Sequence, residues 1–140
     1  MSYLVDTCVL SETVRPKPDP GVLRWLADAE DKGLFLSCLT LGELEKGIWK
    51  VADETRKQRL QSWLEGKVIP AFAGRTIEVS ARISRVWGKL MADQETKGEP
   101  ISVVDALLAA TARVHGLTIA TRNLRDFMRC GVAVVNPWAP

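Results

Sequence analysis

Histidine occurs once in the 140 residues, at His115. A single imidazole standing before Gly116 in "RVHGL" reads as the end of a helix capped by glycine. Serine–histidine, cysteine–histidine and histidine-rich metal sites thereby lose their main ingredient. Cysteine is also scarce: Cys8, Cys38 and Cys130 are odd in number and far apart. That excludes a disulfide framework and a Cys-x-x-Cys knuckle, and leaves them as small core residues. No stretch reaches the roughly 18 apolar residues of a membrane span, and the N-terminus lacks a basic region followed by an uninterrupted apolar one. A cytoplasmic protein with no membrane partner is expected. Charge of one sign is lacking too, since a net +2 and a pI near 8.5 permit a nucleic-acid partner without indicating one. With no internal repeat, low-complexity tract or linker, residues 1–140 read as a single domain able to bury a sizeable core.

What is present is an alternation of short apolar runs and amphipathic stretches. "YLV" (3–5), "LFLSC" (34–38), "TIEV" (76–79), "LTIAT" (117–121) and "VAVVNP" (132–137) read as strands. Between them, Asp19 and Pro20 supply the cap and first residue of a helix through "VLRWLADAE", "TLGELEKGIWK" starts a second, and "DETRKQRLQSWLEG" places Leu60, Trp63 and Leu64 on one face of a surface helix. Ser80 leads into a helix striped by Ile83, Val86, Trp87, Leu90 and Met91, and "SVVDALLAATARVHG" is a strongly apolar one. Strands alternating with helices predict an α/β fold whose mostly parallel sheet is covered on both faces.

Sites in such sheets form beyond the carboxyl ends of the strands, and acids collect there. Asp6 ends the first strand, where a buried charge needs a partner or a metal. Glu43 and Asp105 stand in first turns of helices, and Asn123 and Asp126 follow "LTIAT". Helix capping competes with this reading, because Thr40-Leu-Gly-Glu43 and Ser102-Val-Val-Asp105 both match the capping box. Asp126 could also be a turn residue or the partner of Arg122 or Arg125. Spacing alone leaves metal cluster and caps both open; Asp6 favours the cluster, because a buried strand end is no place for an ordinary helix cap. Carboxylate oxygens without histidine or thiolate select Mg²⁺ or Mn²⁺. Such ions suit hydrolysis of a phosphodiester by an activated water.

In order and spacing, "VDTCVLSE", "TLGELEKGI", "PISVVDALLAATARVHGLTIATRNLRDF" and "GVAVVNPW" resemble the PIN-domain ribonuclease toxins of the VapC type, and within them the FitB-like branch that ends in "NPW". The resemblance spans essentially the whole chain. It implies a three-layer α/β/α PIN domain, Mg²⁺- or Mn²⁺-dependent endoribonuclease activity on RNA, dimerisation, and inhibition by a cognate antitoxin protein covering the cleft, with DNA bound only through that antitoxin. Carried over by position, the metal-site acids fall on Asp6, Glu43 and Asp105. Asp6 and Asp105 are then direct ligands, while Glu43 binds metal or orients the attacking water. Thr7 matches a position where a small hydroxyl residue is common, with a hydrogen bond steadying the strand end as its plainer role. Cys8 replaces a common asparagine. Asn123 replaces the fourth acid of many relatives, whose charge Asp126 could supply, and a neutral Asn123 weakens a second metal site more than the first.

Phosphate contacts dominate RNA affinity, which makes Arg15, Lys17, Lys46, Lys50, Arg122 and Arg125 candidates to track the substrate. Trp25, Trp49, Trp63 and Trp87 belong to core or interface, and Trp138 to the domain's own surface. The rival expectation is a non-catalytic nucleic-acid-binding module that acts with a partner as a repressor, its acids serving only as caps.

Overall fold

The computed structural model describes residues 1–138. Its strands β1 (Tyr3–Val5), β2 (Leu34–Ser37), β3 (Thr76–Ile77), β4 (Thr118–Ala120) and β5 (Val134–Val135) form one sheet in the order β3-β2-β1-β4-β5. Every neighbouring pair is parallel, as the alternation of runs predicts. The strands read as unbroken apolar runs because both faces of the sheet are buried. Side chains alternate between those faces with period two. Tyr3, Val5, Leu34 and Leu36 enter one core cluster, whereas Leu4, Phe35 and Ile119 enter the other.

The first cluster is closed by α1 (Thr7–Glu12), α2 (Pro20–Ala29), α3 (Cys38–Trp49) and the segment after α4 (Glu54–Trp63), where a π turn (Leu64–Val68) and the short α5 (Ile69–Ala71) place Leu64, Val68 and Phe72 inside. The second lies under α6 (Ala81–Thr96), α7 (Val103–His115) and α8 (Leu124–Arg129), which contribute Ile83, Leu90, Leu108 and Phe127. The result is a three-layer α/β/α sandwich. Several helix ends follow directly from local chemistry. Asp19 accepts hydrogen bonds from the Gly21 and Val22 N–H groups with Pro20 in the first helical position, Ser80 accepts from Ile83, and Gly116 ends α7 in the left-handed region at φ 65°.

Helix α1 begins at Thr7, directly after Asp6, and is six residues long. Three expectations change. Helix α3 starts at Cys38 with Ser37 as its cap, so Thr40 lies inside it, fully buried, and the Thr40–Glu43 capping box does not exist. Of the cysteines only Cys130 is buried, Cys8 and Cys38 being half-buried. Trp49 sits at an apolar spacing yet is 63% exposed, its indole N–H donating to Glu45 while Lys57 lies over the ring.

Phe127 is 0% exposed and holds α8, with its neighbour Asp126, onto the second cluster. Phe127→Ala is expected to lower stability by about 3–5 kcal/mol in urea unfolding; a loss below about 1 kcal/mol would contradict this anchoring role.

Candidate active site

The strand order reverses at β1. The chain moves from β1 to β2 and β3 on one side, then returns to β4 and β5 on the other, leaving a crevice at the carboxyl ends of β1 and β4. Asp6 and Thr121 face each other there. The backbone N–H of Asp6 bonds the Ala120 carbonyl at 3.0 Å, extending the ladder by one step. Asp6 is thus an N-cap after all, half-buried, its Oδ1 accepting from the Thr7 N–H at 2.8 Å. The cap uses one oxygen. The other, Oδ2, accepts from the fully buried Thr121 hydroxyl at 2.8 Å, so the partner that a half-buried charge requires is a neutral donor across the switch point. Thr121 in turn accepts from the Asn123 N–H at 3.0 Å.

Glu43 is brought to the crevice one turn into α3, where its Oε1 accepts from the Thr7 hydroxyl at 2.8 Å. With no capping box to serve, its other oxygen is free to act. Asp105 keeps half of its expected cap: its N–H donates to Ser102 Oγ at 3.1 Å, whereas its carboxylate faces the other acids. Burial raises the Asp105 pKa above the ordinary value; the hydrogen bond with Ser102 opposes this, and the charges of Asp6, Asp126 and Glu43 add to it. Those charges are near enough to act on one another.

Asp126 is helical rather than a turn residue. Its partner is Arg129, donating to Oδ1 at 2.8 Å, not Arg122 or Arg125. Asn123 bridges two carboxylates, its side-chain amide donating to Asp126 at 3.1 Å and to Asp105 at 3.4 Å. A neutral donor between two anions lessens their repulsion where a third carboxylate would add to it. The Cys8 thiol also faces the site, 3.8 Å from Asp6 Oδ2 and 3.9 Å from Thr121 Oγ1. Burial first, and then the charge of Asp6, push its pKa up, so it remains a neutral weak donor.

Among the described residues no three or more His, Cys, Asp or Glu side chains are grouped so that together they could hold a metal ion. The donor set is nonetheless all oxygen, with at least one oxygen each on Glu43 and Asp105 not taken by protein donors. An octahedral Mg²⁺ uses one or two carboxylates and keeps several waters, which this open arrangement fits. A groove of ≈ 520 Å³ reaches the site past Thr7 and Glu43, with Glu12, Arg56, Arg122 and Trp138 along its walls. Sequence reading missed Thr121 and Arg129. The signal for Thr121 was a hydroxyl residue ending a buried strand, but its role appears only once β4 is known to lie beside β1.

The PIN domain is the family description that matches, over residues 3–131. Over 137 residues, the chain is 38% identical to VapC ribonuclease Y4jK of Sinorhizobium fredii, covering 98% of each chain. It is 36% identical over 135 residues to Toxin FitB of Neisseria gonorrhoeae, covering 96% of this chain and 97% of FitB. The solved structure of FitAB bound to an IR36 DNA fragment superposes with a TM-score of 0.92 at 33% identity, covering 99% of this chain and 96% of that one.

Two outcomes follow from this geometry. Thr121→Val leaves Asp6 Oδ2 and the Asn123 N–H without their partner, and should cost about 1–3 kcal/mol in urea unfolding; unchanged stability would contradict it. Because the fold raises the Asp105 pKa, its ionised form opposes folding at neutral pH, and the strain eases as pH falls through the raised value. In metal-free buffer Asp105→Asn should therefore raise the thermal midpoint at pH 7 and lose that advantage on acidification. A lowered midpoint at pH 7 would contradict it.

Proposed function

The chain belongs to the PIN-domain family, and on that footing we propose that it is a divalent-metal-dependent endoribonuclease, the toxin of a toxin–antitoxin pair. What supports this reading is that Asp6, Glu43 and Asp105 stand at the edge where the sheet reverses, and that burial, and then the charges of Asp6, Asp126 and Glu43, raise the Asp105 pKa. Likeness to a VapC ribonuclease and to Toxin FitB supports the activity and the toxin role. Likeness to FitAB on DNA supports an antitoxin partner through which DNA is bound.

Asp6 and Asp105 would hold the ion, Mg²⁺ or Mn²⁺ by the hardness of their oxygens. When bound, the ion supplies Lewis acidity and lowers the pKa of the attacking water for phosphodiester hydrolysis. The protein's own groups do the positioning. Thr7 fixes Glu43 by its hydroxyl, leaving the second carboxylate oxygen to join the ligands or to orient water. Asp126, pinned by Arg129 and Asn123, supplies the charge of the fourth position at one remove, and a neutral Asn123 favours one principal ion over two. RNA is the substrate; a homodimer or a larger assembly with the antitoxin, in the cytoplasm, completes the reading. Among the described residues no helix is long and apolar enough to cross a membrane.

Purified protein freed of any antitoxin should cleave a mixed RNA pool with Mg²⁺ or Mn²⁺ and stop on chelation. Asp6→Ala and Asp105→Ala should each lose about a hundredfold or more while circular dichroism stays unchanged. A folded variant as active as the parent would remove that residue from the site, and a parent inert with both ions would remove the ribonuclease reading.

A further inference from the structure

Arg122 occupies an unusual position among the cations of the groove. Its main chain is fixed on both sides: Thr121 N–H donates to the Val135 carbonyl at 3.0 Å, and Asn123 N–H to Thr121 Oγ1. Its side chain is exposed but not free to wander, because the guanidinium lies 4.1 Å from the centre of the Trp138 ring. Trp138 is itself held. Its N–H donates to Asn136 Oδ1 at 3.0 Å, its ring packs on the first core cluster, and its buried indole N–H sits beside Glu12 without closing a full hydrogen bond. Glu12 is only 5% exposed. Its carboxyl is kept below the usual range first by the Asp19 N–H and then by Arg15, so the ring rests against a fixed anion.

The other cations nearby are occupied or unfixed. Arg15 is paired with Glu12 at 3.3 Å and Arg129 with Asp126 at 2.8 Å, while Arg56 lines the groove with no such anchor among the described residues. Arg122 has no carboxylate within 4 Å among the described residues, although it lines the same groove as Thr7 and Glu43. Stacking on an indole occupies one face of the guanidinium and leaves its in-plane N–H edge open, the edge that matches phosphate oxygens two at a time. A site built from carboxylates repels a phosphodiester, so a cation fixed at its mouth offsets the repulsion where the substrate backbone must enter.

Resting on the ribonuclease reading, we propose that Arg122 clamps an RNA phosphate beside the carboxylate site, and that Trp138 is the positioning residue that holds the clamp in place. The proposal explains why a tryptophan near the C-terminus lies across from the loop after β4. Arg122 contacts the substrate; Trp138 acts only through Arg122.

The test is binding of a fluorescein-labelled single-stranded RNA of mixed sequence by anisotropy, in chelator and over a range of salt, with the parent, Arg122→Gln, Trp138→Leu, Trp138→Phe and the double variant Arg122→Gln/Trp138→Leu. Arg122→Gln should weaken binding about tenfold and reduce the slope of log affinity against log salt by about 0.7. Trp138→Leu should weaken it in the same direction, Trp138→Phe should retain most of it, and the double variant should be no worse than Arg122→Gln alone. Parent-like binding and slope in Arg122→Gln would overturn the clamp. Parent-like binding in folded Trp138→Leu, or a further loss in the double variant, would overturn the positioning role. Should Trp138→Leu fail to fold, Arg122→Gln with the salt slope of the parent would overturn the proposal on its own. Cleavage by the parent, assayed separately, keeps the two readings apart: a parent that cuts RNA while the variants bind unchanged refutes the clamp alone, and a parent that binds through Arg122 but cuts nothing refutes the ribonuclease alone.

Discussion

The Thr121 hydroxyl reaches 2.8 Å across the gap between β1 and β4 to the carboxylate of Asp6, and the site is arranged around that bond. A parallel sheet that reverses its order at β1 opens a crevice between β1 and β4, where two backbone ends diverge and a side chain has room. The crevice needs a residue that tolerates both water and the sheet interior. Asp6 does so by dividing its oxygens, one to the first N–H of α1 and one to Thr121. Because Thr121 also accepts from Asn123, the same hydroxyl sets the start of the loop that delivers Asn123 and Asp126.

Gathering acids costs stability unless the repulsion is met, and the molecule meets it mostly with neutral donors. Thr7 serves Glu43, Thr121 and Cys8 serve Asp6, and the Asn123 amide serves both Asp105 and Asp126. Of these acids, among the described residues only Asp126 takes a full cation, Arg129. Asp105 is left with the least help, and its raised pKa records the balance. Neutral donors stabilise the carboxylates without cancelling their charge, which leaves the edge negative, as the proposed cation site requires. A ring of arginines would have stabilised the fold more and served that purpose less.

Features written in adjacent residues were legible from the sequence. Asp19–Pro20, Ser80, Ser102 and Gly116 mark helix ends through chemistry that reaches only two or three residues, and the apolar runs gave the parallel sheet because a strand buried on both faces must be apolar throughout. The expectation that Asp6, Glu43 and Asp105 gather at one edge came from a different rule, that sites in such sheets form beyond the carboxyl ends of the strands. What failed was either degenerate or long-range. Thr40 and Ser37 both precede an apolar helical stretch, and only the structure separates the true cap from the residue inside the turn. Asp6 looked unlike a cap because α1 has too few residues to display a period. Thr121 lies 115 residues from the acid it serves, a distance that no local pattern spans until the strand order is known. Trp49 shared the spacing of core residues while facing outward, since spacing assigns a face of a helix and not what covers it.

Calorimetric titration of Mn²⁺ distinguishes one cation site built from these acids from a set of independent caps. The parent, Asp6→Ala and Asp105→Ala would be titrated in the same buffer, with folding checked in each. Measurable binding to the parent and its loss in both variants are expected, although the two acids belong to different elements. Binding of equal strength in all three proteins would contradict the single site and leave the acids as caps.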